Sequence, residues 1–103
     1  MDIATSKNKF KIRLTSERWL HITEGHSELA GYYYDVLDTI ENPEFIYEGA
    51  LKELLAVKEI EKEKNIIVVY KELEPDDGFV ITAFLSKKTN YLTNKKLVWE
   101  KKN

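Results

Sequence analysis

The chain of 103 residues contains no cysteine, only four glycines, two prolines and one methionine. The lack of cysteine excludes a disulfide framework, a thiolate zinc site and a cysteine nucleophile. No apolar run approaches the roughly 20 residues that a membrane-spanning helix needs. Residues 1–7 also lack the apolar stretch of a secretory signal peptide. The sequence therefore predicts a cytoplasmic protein without membrane contact.

Charged groups are plentiful and nearly balanced, with 16 basic and 18 acidic side chains, but they are unevenly distributed. Residues 1–18 carry a net charge of +3, residues 24–77 a net charge of −10, and residues 87–103 a net charge of +5. If the two basic ends meet in the fold, they form a basic face typical of polyanion-binding proteins. Otherwise the terminal lysines only keep the chain solvated. Its length predicts a single domain spanning residues 1–103, with one core.

Residues 10–42 are expected to form one strand followed by two helices. Apolar and charged residues alternate over residues 10–14, which predicts a half-buried strand. A short helix should follow, capped by Thr15 or Ser16 and ended by Gly25. A second helix is expected over residues 27–42, because apolar residues recur there at helical spacing and a proline follows.

The second half shows the pattern of β-structure. Residues 66–70 are apolar and mostly β-branched, as in a central strand, and residues 79–85 form a hairpin partner across a Pro-Asp-Asp-Gly turn. Shorter strands are expected at residues 45–47 and 97–99. Residues 51–60 fit a helix by propensity, but their context favours a strand. The expected fold is α+β, with two N-terminal helices packed on one face of a four- to five-stranded antiparallel sheet.

Both histidines of the chain, His21 and His26, lie close to Arg18. Histidine is the usual proton shuttle at neutral pH, so acid–base chemistry is concentrated in this segment. Arg18 and His21 are three residues apart and share a helix face, whereas the position of His26 depends on the bend after Gly25. Two histidines at this spacing cannot face one metal ion from a regular helix, and no metal or other cofactor is expected.

These side chains suit cleavage of a phosphodiester bond by the neighbouring ribose 2′-hydroxyl. The reaction needs a base, an acid and cations that stabilise charge on the phosphoryl oxygens. His21 and His26 can act as base and acid, while Arg18 and Lys71 can hold the phosphate. Thr82, on the hairpin partner strand, can hydrogen-bond a phosphate oxygen.

Tyr34 and Tyr70 are the aromatic candidates for stacking on a base. Each candidate also has an ordinary structural explanation. Tyrosines of residues 32–34 suit the boundary between helix and sheet, Thr82 suits a strand by propensity, and Arg18 is a common kind of surface residue. The residues alone leave both explanations open.

Four short motifs occur in a characteristic order. They are Arg-Trp-Leu-His-Ile at residues 18–22 with His26 after it, Asn-Pro-Glu-Phe-Ile at 42–46, Ile-Val-Val-Tyr-Lys at 67–71, and Gly-Phe-Val-Ile-Thr-Ala-Phe at 78–84. Together they resemble the phage-associated branch of the barnase–EndoU–colicin–RelE group of nuclease-like domains, over residues 10–99.

This resemblance implies helices packed against an antiparallel sheet in a RelE- or barnase-like arrangement. It also implies metal-independent RNA cleavage or RNA binding, often by a toxin that pairs with an antitoxin protein. The matching motif positions are Arg18, His21, His26 and Thr82, with Tyr70 and Lys71 as additions.

The chain departs from the resemblance in its charge. Ribosome-dependent toxins of this group are strongly basic, whereas this chain has a net charge of −2. A folded RNA such as tRNA, or a lost activity, therefore fits better than ribosome-bound messenger RNA. The expected function is a metal-independent endoribonuclease with RNA as its partner. The alternatives are a non-catalytic module that binds RNA or protein, and a homo-oligomer formed through the tyrosine-rich helix and an exposed strand edge.

Overall fold

The computed structural model describes residues 1–88 and 90–102. In this part of the chain there are seven strands: β1 (Asp2–Thr5), β2 (Lys11–Leu14), β3 (Phe45–Glu48), β4 (Leu54–Glu61), β5 (Lys64–Glu74), β6 (Asp77–Ser86) and β7 (Lys96–Glu100). There are two α-helices, α1 (Ser16–Gly25) and α2 (Tyr33–Glu41), and two 3-10 helices, Ser27–Leu29 and Asn90–Asn94.

All seven strands belong to one sheet, in the order β1-β2-β6-β5-β4-β3-β7. β2 and β6 are parallel and pair Ile12 with Gly78 and Arg13 with Phe79. The other neighbouring strands are antiparallel. The long hairpin of β5 and β6 forms the middle of the sheet. β2 and β1 follow on the β6 side, and β4, β3 and β7 follow on the β5 side.

The expected α+β class is confirmed, but the expected sheet is wrong. The sheet has seven strands instead of four or five, and it is mixed instead of antiparallel. The strand β1 escaped prediction because it has only four residues and shows little apolar alternation. The parallel pairing of β2 with β6 joins segments that are far apart in the sequence, with Ile12 paired to Gly78, and no local pattern encodes such a contact. The same finding corrects the antiparallel sheet that the family resemblance implies.

Local signals explain where the helices begin and end. The hydroxyl of Thr15 accepts a hydrogen bond from the backbone N–H of Arg18 at 3.0 Å, which confirms the predicted cap of α1. The second helix, expected over residues 27–42, is interrupted instead. The 3-10 turn Ser27–Leu29 comes first, and Gly31 then adopts φ +92°, a conformation that glycine takes without a steric penalty.

The main core lies between the sheet and the two α-helices. Ile22 from α1 and Val36 and Ile40 from α2 are buried against sheet residues such as Val68 and Val80. We call this side of the sheet the helix face. Neither α-helix in the described residues has the length and hydropathy needed to cross a lipid bilayer.

A second, smaller apolar cluster lies on the opposite side of the sheet, which we call the outer face. It contains Leu55 and Val57 from β4 and Ile67 from β5, all buried. Leu92, from the 3-10 helix Asn90–Asn94, is fully buried among them. The outer face is therefore partly covered by the segment before β7, not by the α-helices.

Candidate functional site

The helix α1 lies along the edge of β6. In residues 1–88 and 90–102, β2 pairs with β6 at Gly78 and Phe79 alone, and the later residues of β6 have no strand beside them on that edge. α1 and the 3-10 turn Ser27–Leu29 contact this part of β6. The segment that carries both histidines is therefore held against the side of a central strand.

A β-bulge lies where α1 meets β6. In the register of β5 and β6, Thr82 and Val80 oppose consecutive residues of β5, so Ile81 is an extra residue. Arg18 Nη1 donates a hydrogen bond of 3.4 Å to the carbonyl oxygen of Ile81. Bulges re-aim neighbouring side chains and are frequent beside active sites. Here the bulge provides an acceptor that tethers the arginine.

Arg18 and His21 line the same shallow depression, together with Thr15 and Glu17. Its volume is about 270 Å³. Both Arg18 and His21 are exposed, and their position on one flank of α1 confirms the predicted shared face. A guanidinium carries five N–H donors, so the long contact with the bulge leaves most of them available to a phosphate.

His26 follows the C-terminal end of α1. Its backbone N–H donates to the carbonyl oxygen of Ile22 at 2.8 Å and closes the last turn of the helix. Its Nδ1 lies 3.4 Å from Glu28 Oε2, and its ring centroid lies 6.0 Å from that of Phe84. His26 is therefore held at the C-terminal end of α1, and it is not among the residues that line the depression of Arg18 and His21.

Thr82 lies on the outer face of the sheet, directly after the bulge. It pairs with Val69, which packs against the outer-face cluster, and paired residues of neighbouring strands point to the same side. Phe84, two residues further along β6, packs against the same cluster and contacts His26. Thr82 is therefore at the rim where the outer face meets the flank of α1.

The structure separates Tyr70 and Lys71 from these residues. Tyr70 is fully buried on the helix face, where it cannot offer its ring to a base. Burial raises the pKa of its phenol. Lys71 points to the outer face, and its ammonium donates a 2.6 Å hydrogen bond to the carbonyl oxygen of Leu51. Strand alternation thus places these two sequence neighbours on opposite faces.

Tyr34 belongs to the first turn of α2. It is 74% exposed and meets Tyr33 edge to face at 5.1 Å, while Tyr33 meets Trp19 at 5.2 Å. The hydroxyl of Tyr33 donates to Asp2 Oδ2 at 2.7 Å. Burial, helped by this carboxylate, raises the pKa of Tyr33 to about 12. Tyr34 therefore caps an aromatic cluster that joins α1, α2 and β1, and it does not line the depression of Arg18.

Phe84 and Glu28 contact His26 but are missing from the sequence-based candidates. Phe84 belongs to the last of the four motifs, so the sequence could have singled it out. Its contact with His26, however, exists only because α1 lies beside β6. Among the described residues, no cluster of three or more His, Cys, Asp or Glu side chains is placed to hold a metal ion. We call Arg18, His21, His26 and Thr82 the α1 site.

The basic ends of the chain do meet, but not at the α1 site. Lys7 Nζ lies 5.3 Å from the centroid of the Trp99 ring, in a second depression that also contains Lys101 and Lys102. This depression shares no lining residue with that of Arg18 and His21. The basic face of the termini is therefore separate from the depression of Arg18 and His21.

The sequence matches no model of a known protein family, and neither a curated protein nor a solved structure matches the chain. The geometry of the α1 site and the order of the sequence motifs are therefore the observations that bear on the function of this chain.

Proposed function

We propose that this chain is a metal-independent endoribonuclease that cleaves RNA by attack of the 2′-hydroxyl on the neighbouring phosphate. One observation carries the proposal. Arg18 and His21 line a single depression on α1, and His26 caps the C-terminal end of the same helix, where its ring contacts Phe84 of β6. A cation and two imidazoles are the groups that this reaction requires.

Each residue of the α1 site has a role in the proposed reaction. His21, beside Arg18, removes the proton from the 2′-hydroxyl, and the resulting oxygen attacks phosphorus. His26, next to the carboxylate of Glu28, gives a proton to the departing 5′-oxygen. Arg18 pairs with the non-bridging oxygens, and the hydroxyl of Thr82 donates to one of them. The products are a 2′,3′-cyclic phosphate and a free 5′-hydroxyl.

The order of the motifs supports a biological setting for this activity. It resembles the phage-associated branch of the barnase–EndoU–colicin–RelE group, whose members are often toxins. We therefore assign the chain the role of a cytoplasmic toxin that is held in check by an antitoxin protein. The small negative net charge favours a folded RNA such as tRNA as the substrate.

The decisive experiment is cleavage of tRNA and of single-stranded RNA by the purified chain in the presence of a chelator. We expect products that end in a cyclic phosphate. His21→Ala should slow cleavage by about 100-fold or more, the usual contribution of a general acid or base. Leu20→Ala is the matched control, because Leu20 is exposed on α1 but does not line the depression.

Replacement of the 2′-hydroxyl by hydrogen at the cleavage site should abolish the reaction. Unchanged cleavage by the double variant His21→Ala, His26→Ala would rule out the proposed mechanism. Products without a cyclic phosphate would rule it out as well.

A second candidate function is a non-catalytic module that binds RNA or protein through the same residues. The observation in its favour is the openness of the site, because Arg18 and His21 are exposed in a shallow depression that does not exclude water. This alternative predicts salt-sensitive RNA binding without turnover. A homo-oligomer formed through the tyrosine-rich helix and a strand edge remains a prediction, for which β1 and β7 are the edge strands of the sheet in the described residues.

A further inference from the structure

A second depression gathers lysines from both ends of the chain around one tryptophan. Its volume is about 430 Å³, and its lining includes Lys7, Lys58, Lys101, Lys102 and Trp99. Lys7 comes from the turn after β1, and Lys101 and Lys102 follow β7. We call it the Trp99 depression.

Two carboxylates, those of Glu44 and Glu100, line the depression, and a third, that of Asp38, pairs with Lys58. Lys58 is neutralised by an ion pair with Asp38 at 2.5 Å, and the hydrogen bond from Lys58 lowers the pKa of Asp38. Glu44 Oε1 accepts a hydrogen bond of 2.8 Å from the backbone N–H of Glu59. Glu100 remains as an exposed acidic group.

The other three lysines keep their charge available. Within the residues that the structure describes, Lys7, Lys101 and Lys102 form no ion pair within 4.0 Å. Lys101 and Lys102 are exposed and Lys7 is half-buried. Three ammonium groups therefore line one depression beside two lining carboxylates, those of Glu44 and Glu100, in a protein whose net charge is −2, and such a local positive excess attracts anions.

Trp99 provides a fixed aromatic surface between these charges. It pairs with Ile46 of β3 and packs partly against the main core, so its ring is held in place. The ammonium of Lys7 lies over the ring at 5.3 Å from its centroid. An incoming phosphate can draw Lys7 aside and leave the ring face to a base, since bases stack readily on aromatic side chains.

We propose that the Trp99 depression binds a single-stranded segment of RNA, with phosphates on Lys7, Lys101 and Lys102 and one base on Trp99. This inference rests on RNA as the partner in the proposed function, and it adds a second contact separate from the α1 site. It gives a role to three of the lysines at the basic ends of the chain. An RNA that reaches both depressions is held at two places on the molecule.

The test uses the fluorescence of Trp99 itself. The chain has two tryptophans, so the variant Trp19→Phe leaves Trp99 as the only indole. The probe is a 2′-O-methyl oligouridylate, which cannot be cleaved by 2′-hydroxyl attack. We expect saturable quenching of Trp99 fluorescence that weakens as salt is added.

The matched comparison uses two triple variants in the Trp19→Phe background. The first triple variant combines Lys7→Ala, Lys101→Ala and Lys102→Ala. It should reduce the steepness of the plot of log affinity against log salt by about 2, because each phosphate contact on a single strand contributes about 0.7. The control variant removes the same charge from exposed lysines outside the depression, and it combines Lys62→Ala, Lys87→Ala and Lys88→Ala. It should leave the slope and the quenching largely unchanged.

Equal losses in the two triple variants would overturn the inference, as would RNA binding by anisotropy without quenching of Trp99. Cleavage of unmodified RNA, measured in parallel, separates this inference from the proposed function. Quenching by the probe without any cleavage supports the inference and counts against the nuclease. Cleavage whose KM is unaffected by the loss of Lys7, Lys101 and Lys102 supports the nuclease and overturns the inference.

Discussion

Tyr70 shows how much depends on which way a single side chain points. It has the largest volume among the fully buried side chains of the described residues. Its hydroxyl has no hydrogen-bond partner there, and burial raises the pKa of the phenol. A buried polar group without a partner costs about 1–3 kcal/mol relative to a solvated one. Tyr70 therefore fills space in the core at some cost in stability.

We predict that Tyr70→Phe raises the free energy of unfolding by about 1 kcal/mol, because it removes the unpaired hydroxyl and keeps the ring. Denaturant unfolding monitored by circular dichroism measures the change. Tyr47→Phe, at a half-buried position on β3, is the control and should change stability little. A clear loss of stability in Tyr70→Phe would show that the hydroxyl is satisfied in solution.

At the scale of the element, α1 carries most of the proposed chemistry. Its first turn is fixed by the hydroxyl of Thr15, which bonds the backbone of Arg18, and its last turn is closed by the backbone of His26. The cap, the cation and both imidazoles are thus parts of one short helix. Fraying at either end displaces a proposed catalytic group.

Thr15→Ala should destabilise the protein by about 1 kcal/mol, the usual cost of losing a side-chain N-cap. Thr15→Ser keeps the hydroxyl and should recover most of that loss. Thermal unfolding measures both variants, and Ser16→Ala serves as a control because Thr15 is the residue that accepts the capping bond. An equal effect of Thr15→Ala and Ser16→Ala would contradict the assigned cap.

At the scale of the whole molecule, the parallel contact between β2 and β6 joins the N-terminal hairpin to the centre of the sheet. Ile12 pairs with Gly78 at this contact. A Cβ at Gly78 would lie 2.8 Å from the carbonyl oxygen of Lys71 and 2.5 Å from Ile12 Cδ1. The strands therefore approach closely because residue 78 lacks a side chain.

Gly78→Ala should lower the free energy of unfolding by about 1–3 kcal/mol, the range for overpacking a filled interior. Gly25→Ala is the comparison, because nothing lies within 4 Å of a Cβ built there. Since alanine favours a helix over glycine by about 1 kcal/mol, Gly25→Ala should be neutral or stabilising. Similar stabilities of the two variants, measured by denaturant titration, would contradict this account of the strand contact.

Features that depend on neighbouring residues could be predicted from the sequence. Apolar periodicity and a capping hydroxyl located α1, and β-branched runs located the central strands β5 and β6. The same local pattern placed Arg18 and His21 on one helix face. These predictions hold because helical spacing, strand alternation and capping involve residues only a few positions apart.

The tertiary structure alone showed how the segments meet. It added β1 as a strand, made the β2–β6 pair parallel, and buried Tyr70 while it left Tyr34 exposed. It also brought Lys7 to Trp99 from the other end of the chain. Such contacts depend on which surfaces bury the most apolar area together, a property of the whole chain that no short segment contains.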